Sequence, residues 1–195
     1  MTQLIGIVGC KGAGKDTFAD IFKLENAKKN VVSIAFADAL KEMLVPIGFP
    51  RSILWGSSEG RDTWVHPHLQ ITCRKALKTL GDQVGRQMYS PDIWVWLVEE
   101  KIRYLNSGCG INSAPDLIIV RDCRYSNEHS MLKRMGARTF LIRRPQVDDG
   151  DDHPSENWAR RDAIAVVDEV IENNDTFEKF ILMCELYRNQ ILGAL

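Results

Sequence analysis

The sequence predicts an α/β fold, a central parallel sheet of about five strands with helices on both faces. Short apolar, β-rich runs alternate with helix-period segments along the whole chain, the pattern of strand–helix–strand units. The first such run breaks into a glycine-rich turn that opens onto a helix. With 195 residues, 45% hydrophobic and 26% charged, the chain can bury one real core, and disorder is a poor reading.

Leu4-Ile5-Gly6-Ile7-Val8-Gly9 reads as a buried parallel strand that ends at glycine. Phe18, Ala19, Ile21 and Phe22 follow at helical spacing, with Lys28 and Lys29 near the far end, where the helix dipole favours cations. Val31 to Phe36 is a second strand, and Ala39 to Val45 is helical until Pro46. Residues 46–72, with Pro46, Pro50, Gly56, Gly60 and Pro67, read as loop. A helix from about Thr72 to Met88 turns Leu77, Leu80, Val84 and Met88 inward. Ser90-Pro91 gives an N-cap and a first-turn proline to a helix whose apolar face is Trp94, Leu97, Val98, Ile102 and Leu105, stopping in Asn106-Ser107-Gly108. Leu117 to Val120, Thr139 to Ile142 and Val166 to Ile171 are strands three to five, and Phe177 to Leu192 is a closing helix.

Lysines and arginines number 25 against 26 acids, a net charge of -1. No overall field exists for gripping duplex nucleic acid or an anionic membrane, and no apolar run approaches the roughly 20 residues of a membrane span. The five cysteines (Cys10, Cys73, Cys109, Cys123, Cys184) are scattered without a CxxC pair, which argues against a disulfide framework or a zinc site. With no signal-peptide pattern at the start, the cytoplasm is the expected home, the host's if the source is a virus.

Gly9-Cys10-Lys11-Gly12-Ala13-Gly14-Lys15 satisfies GxxxxGK between a strand and a helix. Glycines let the backbone curl so that successive N–H groups meet phosphate oxygens, the helix adds its positive end, and Lys15 reaches the outer phosphates. Asp16 stands where a hydroxyl residue usually binds Mg²⁺, with Thr17 next; a carboxylate is also a good hard-cation ligand. Leu117-Ile118-Ile119-Val120-Arg121-Asp122 is an apolar strand running into an acid, as in a Walker-B segment. Asp122 is thus a candidate for the metal shell, or a cap for the next helix. Arg124 is a candidate electrostatic clamp on a transferring phosphoryl group, or a surface arginine. Arg74, Gly81 and Gly85 lie at i, i+7 and i+11 along one helical stripe, where glycines admit a close partner: a ligand held by Arg74 and Arg86, or another helix.

Taken together, Gly12-Ala13-Gly14-Lys15-Asp16-Thr17, Phe36-Ala37-Asp38-Ala39-Leu40-Lys41, Arg74-x-x-Leu77-x-x-Leu80-Gly81 with Arg86, and Asp92-x-Trp94 resemble the phage-type deoxynucleoside monophosphate kinases. So do Asp122-Cys123-Arg124-Tyr125-x-Asn127-Glu128, Arg143-x-Pro145 and His153-x-Ser155-Glu156. The resemblance spans most of the chain, in the family's order. It implies a P-loop kinase fold in a single domain, with an acceptor-binding region at about 38–105 and a lid at about 144–161. It also implies transfer of the γ-phosphoryl group of ATP, with Mg²⁺, to a deoxynucleoside monophosphate.

Carried over residue by residue, the resemblance implies catalytic roles for Lys15, Arg124 and Arg143. It places ATP on Lys11, Gly12, Ala13, Gly14, Lys15, Asp16, Thr17 and Asn174, and Mg²⁺ by Asp16 and Asp122. The acceptor falls to Asp38, Lys41, Arg74, Lys78, Gly81, Arg86, Trp94, Glu128, His153 and Glu156. Two positions depart from the pattern: Arg121 precedes the Walker-B acid, and Lys78 stands where glutamine is expected, which bears on base preference. The expected partners are ATP and the monophosphate, without duplex nucleic acid or membrane; a homodimer is compatible. Two other functions fit the same residues: a kinase of a nucleoside or small-metabolite hydroxyl, with Asp38 or Asp122 as base, and a nucleotide-driven ATPase or switch.

Overall fold

The computed structural model describes residues 2–23, 29–108, 113–145 and 154–193. His153, Lys28, Cys109 and the acidic part of the expected lid (Asp148 to Asp152) lie outside the described residues. Five strands form one sheet: β1 (Gln3–Val8), β2 (Val31–Ile34), β3 (Leu117–Cys123), β4 (Arg138–Arg143) and β5 (Glu169–Glu172). Their spatial order is β2-β3-β1-β4-β5 and every pairing is parallel. The predicted class is the observed one. The sheet is covered by α1 (Lys15–Ile21), α7 (Ser126–Arg134) and α9 (Phe177–Gly193), among other helices.

The chain divides into two compact units, one of residues 1–35 with 99–195 and one of residues 36–98. The core of the first joins Ile5 and Ile7 of β1, Phe18 and Phe22, Leu117 and Ile119 of β3, Phe140 and Ile142 of β4, and Phe180 and Cys184 of α9. Strands buried on both faces read as near-continuous apolar runs, which is why these strands were recognisable. The second unit contains α2 (Phe36–Leu44), α3 (Arg51–Leu54), α4 (Ser58–Thr63) and α5 (Cys73–Lys78), followed by a π-helix over Thr79–Tyr89. Its core joins Leu44, Phe49, Leu54, Cys73 and Ala76. The boundary between the units falls within α6 (Ile93–Asn106).

Several local expectations are corrected. Residues 46–72, expected to be loop-like, hold two short helices. Pro50 caps α3, where its fixed φ and missing N–H cost nothing, and the Ser57 hydroxyl accepts from the Gly60 amide at 3.0 Å to start α4. The helix beginning after Thr72 changes from α to π at Thr79, and the wider turn carries Met88 outward to 75% exposure. On α6, Val95 takes the inward place expected of Leu97, which is 45% exposed. Residues 163–165 form a 3₁₀ turn, so the fifth strand starts at Glu169, and Val166 is half-exposed. The second half of the expected lid is a helix, α8 (Pro154–Arg161).

Candidate active site

Parallel sheets gather ligands at the carboxyl ends of their strands, where the topology reverses direction. Here β1 is central and delivers the glycine-rich loop to that edge. Gly14 caps α1 at φ 107°, a left-handed conformation that L side chains resist. A Cβ there would also stand 2.9 Å from Asn173 Nδ2 and 3.0 Å from the Phe180 ring, so the loop's curl is fixed twice over. Asn173 ties the far end of β5 to the loop, donating from Nδ2 to the Ala13 carbonyl at 2.9 Å.

Lys15 opens α1 with its side chain almost wholly buried, and its ammonium donates to the Cys10 carbonyl at 2.5 Å. Burial pushes its pKa down to about 8, and the neighbouring Arg124 guanidinium adds to the fall, against the opposing charges of Glu156 and Asp16. A cavity of about 280 Å³ lies over this loop. Gly12, Gly14, Lys15, Asp16, Thr17, Arg144, Asn173, Asp175, Phe177 and Phe180 line it. A desolvated cation under a nest of glycine-loop amides is an anion site by construction.

Arg124 follows β3 directly. The Glu128 carboxylate accepts from the Arg124 amide at 2.7 Å and from the Tyr125 amide at 3.2 Å, which starts α7. Asp122 therefore lies within β3 and does not cap α7, as the alternative had it. The Arg124 guanidinium donates to Glu156 Oε1, and Glu156 Oε2 accepts from the Lys11 amide at 2.8 Å. Glu128 and Glu156 are both buried, at 1% and 4% exposure, and neither lines the cavity. In this structure their carboxylates accept from backbone amides and, for Glu156, from Arg124.

Two expected residues stand next to residues that line the cavity. Arg143 pairs with Glu172 across the β4–β5 edge at 2.8 Å, and it is Arg144 that lines the cavity. Asn174 is exposed beside Asn173 and Asp175, which do line it. Phe177 and Phe180 were not expected from the sequence, whereas Arg144 ends strand four beside Arg143, and Asn173 and Asp175 belong to the polar segment after strand five. The signal that pointed there was their place just after predicted strands four and five.

In the second unit, Arg74 donates from Nε to Asp62 Oδ1 at 2.7 Å and from Nη2 to the Ser58 hydroxyl at 2.6 Å. Arg86 donates to the Pro91 carbonyl at 3.2 Å and lies 3.6 Å from Asp82. Asp38 accepts from Trp55 Nε1 at 3.2 Å and pairs with Lys41, whose ammonium stands 5.4 Å from the Trp55 ring centroid. Lys78 ends α5, exposed. Trp94 is not accessible to a ligand. It is 1% exposed, donates to the Gly81 carbonyl at 2.8 Å, and fills the space where a Gly85 Cβ would come within 2.4 Å of its ring. Gly85 is therefore a packing glycine. Gly81 differs, since a Cβ there would meet nothing nearer than Leu40 at 3.8 Å.

Comparison with known proteins agrees with the site. Residues 58–183 match the family described as deoxynucleotide monophosphate kinase. A protein of Acanthamoeba polyphaga mimivirus whose name assigns it, provisionally, to the same kinases is 27% identical over 181 residues, 91% of each chain. Among solved structures, dephospho-CoA kinase from Campylobacter jejuni is similar at 13% identity over 100% of both chains, with a TM-score of 0.49. The chain belongs to the deoxynucleotide monophosphate kinase family and is a nucleotide kinase.

Proposed function

We propose that this kinase moves the γ-phosphoryl group of ATP, in the presence of Mg²⁺, to the 5′-phosphate of a deoxynucleoside monophosphate, giving the diphosphate. The observation that carries this reading is Lys15, buried in the glycine loop on the wall of a 280 Å³ cavity and close enough to Arg124 to feel its charge. A monophosphate is already an oxyanion near neutral pH, with a second pKa of about 6, so the reaction needs positioning and charge neutralisation more than a general base. Lys15 and Arg124 supply the charge. Loop amides supply the donors, and Arg144 stands on the cavity wall to close on phosphate or base.

Asp16 and Thr17 line the cavity, and Asp122 lies near the end of the neighbouring strand β3, so oxygen donors suited to Mg²⁺ are present. Among the described residues there is no cluster of three or more metal-binding side chains. That fits an ion held chiefly by phosphate oxygens and water, with Asp16 and Asp122 as the protein's share; bound there, it would neutralise charge on the transferring group. For the acceptor, Arg74 and Arg86 are the phosphate candidates, with Asp38, Lys41, Lys78 and the open face at Gly81 for sugar and base. An acceptor screen with Mg²⁺-ATP tests the reading. Deoxynucleoside monophosphates should be phosphorylated, and nucleosides should not. Turnover with nucleosides alone, or acceptor-independent hydrolysis at the same rate, would overturn it.

A further inference from the structure

We propose that Glu156 is a positioning residue that acts through Arg124, anchoring its guanidinium to the backbone of the phosphate loop. The proposal rests on the reading of Arg124 as the clamp on the transferring phosphoryl group. Its observation is a division of labour between two oxygens of one buried carboxylate. Oε2 accepts from the Lys11 amide at 2.8 Å, while Oε1 accepts from Arg124 Nη1. The Glu156 side chain is 5% exposed and the Arg124 side chain 30% exposed. The acid is therefore committed inward, whereas the guanidinium keeps an open side. A guanidinium carries five N–H donors in a rigid plane, so fixing one edge aims the others.

Arg124 is held at both ends. Its amide is fixed by Glu128, and its head group by Glu156. A long side chain that must meet a phosphoryl group otherwise loses rotamer freedom at the moment of transfer. The same carboxylate balances charge. Arg124 depresses the Lys15 ammonium and Glu156 opposes that, so two cations can share one small buried region.

The test is a double-mutant cycle on the full chain, Glu156→Gln with Arg124→Ala, reading kcat, acceptor KM, ATP Kd and melting temperature. Glu156→Asp serves as the second single variant in case Gln perturbs the fold. Glu156→Gln should lower kcat by roughly thirtyfold with acceptor KM and ATP Kd within about twofold, and add almost no further loss in the Arg124→Ala background. Glu156→Asp, which keeps the charge, should recover part of the rate. Multiplying losses in the double variant, or a chief effect on acceptor KM, would overturn the proposal and restore Glu156 to the acceptor. A lowered melting temperature with unchanged kcat would leave it a purely structural acid. If Arg124→Ala itself kept near-normal kcat, the reading of Arg124 would fail instead, and the two failures are thus told apart.

Discussion

In the sheet unit Lys15 is 7% exposed and its ammonium donates to the neutral carbonyl of Cys10. In the 36–98 unit, Arg74, Arg86 and Lys41 each lie against an acid of their own unit: Asp62, Asp82 and Asp38. On the proposed reading of both as phosphate sites, the two regions would meet an incoming anion on different terms. Lys15 has already lost its hydration, so a phosphate restores what burial removed. A phosphate arriving at Arg74 must compete with a carboxylate that already holds the guanidinium through Nε. The first arrangement suits tight, charge-driven binding; the second suits exchange, because each cation is neutralised again when its ligand leaves.

The largest effect should come from Lys15→Met. Turnover should fall by about a thousandfold or more, since no other group replaces a desolvated charge on the phosphates. The same variant should be more stable. A lysine held near 8 rather than 10.5 costs the fold on the order of 3 kcal/mol at neutral pH, and Met removes that cost. A variant that lost both activity and melting temperature would show Lys15 to be a structural residue, and the contrast between the units would collapse.

Next come the glycines of the second unit, which sharpen the comparison from the packing side. Gly85→Ala puts a Cβ against the Trp94 ring at 2.4 Å and should cost about 2–3 kcal/mol of stability, with the overpacking spread through Trp94. Gly81→Ala has room and should be near neutral or slightly stabilising. Thermal unfolding of the pair separates them. Equal destabilisation would mean that both glycines serve packing and that no open face exists at Gly81.

How legible this was in the sequence depends on the separation of the partners. The phosphate loop was fully legible, because GxxxxGK encodes a backbone shape within seven residues and β1 and α1 flank it. Asn173 reaches Ala13 across 160 residues of sequence, and no local pattern announces that contact. Arg143 and Arg144 are adjacent at the end of strand four, and only the folded chain shows that Arg144 lines the cavity. The glycine stripe was read on a 3.6-residue helix, whereas the π-helix from Thr79 changes the angular spacing of Arg74, Gly81 and Gly85. Trp94 belongs both to a family motif and to the expected apolar face of α6, and its 1% exposure agrees with the second. Proline and glycine in 46–72 were read as loop signals, although Pro50 is compatible with a helix start and serves as one.

A smaller effect is expected from the paired arginine. Arg74→Ala should raise acceptor KM by about tenfold, the value of one charge-assisted contact, with ATP Kd unchanged. Asp62→Asn should act in the opposite direction. By removing the competing charge it should lower acceptor KM severalfold, at a small loss of melting temperature, since a partly exposed ion pair is worth little. Steady-state kinetics on both variants decide the matter. If Asp62→Asn raised acceptor KM as Arg74→Ala does, Asp62 would be orienting Arg74 for the ligand, and the competition drawn above would be wrong.

The smallest effect is the pH dependence of Lys15, and it moves ATP affinity and stability in opposite directions. In the empty enzyme Lys15 is largely protonated at pH 7 and half-protonated near pH 8. ATP affinity should therefore weaken by about twofold from pH 7 to 8, and more steeply above, as the charge that holds the phosphates is lost. Stability should move the other way. Between about 8 and the ordinary value of 10.5 the unfolded chain keeps a proton on this lysine that the folded chain has released, so unfolding takes up protons and stability rises with pH across that window. Below pH 8 the cost of burying the charge is present in full. Other groups titrate in the same range, so the measurement is the difference between the wild-type protein and Lys15→Met, in ATP Kd and in unfolding free energy from pH 7 to 10. The difference in stability should shrink as pH rises while the difference in ATP affinity also narrows. A stability difference independent of pH would show that Lys15 keeps its full charge in the fold, and its role as a desolvated cation would fail.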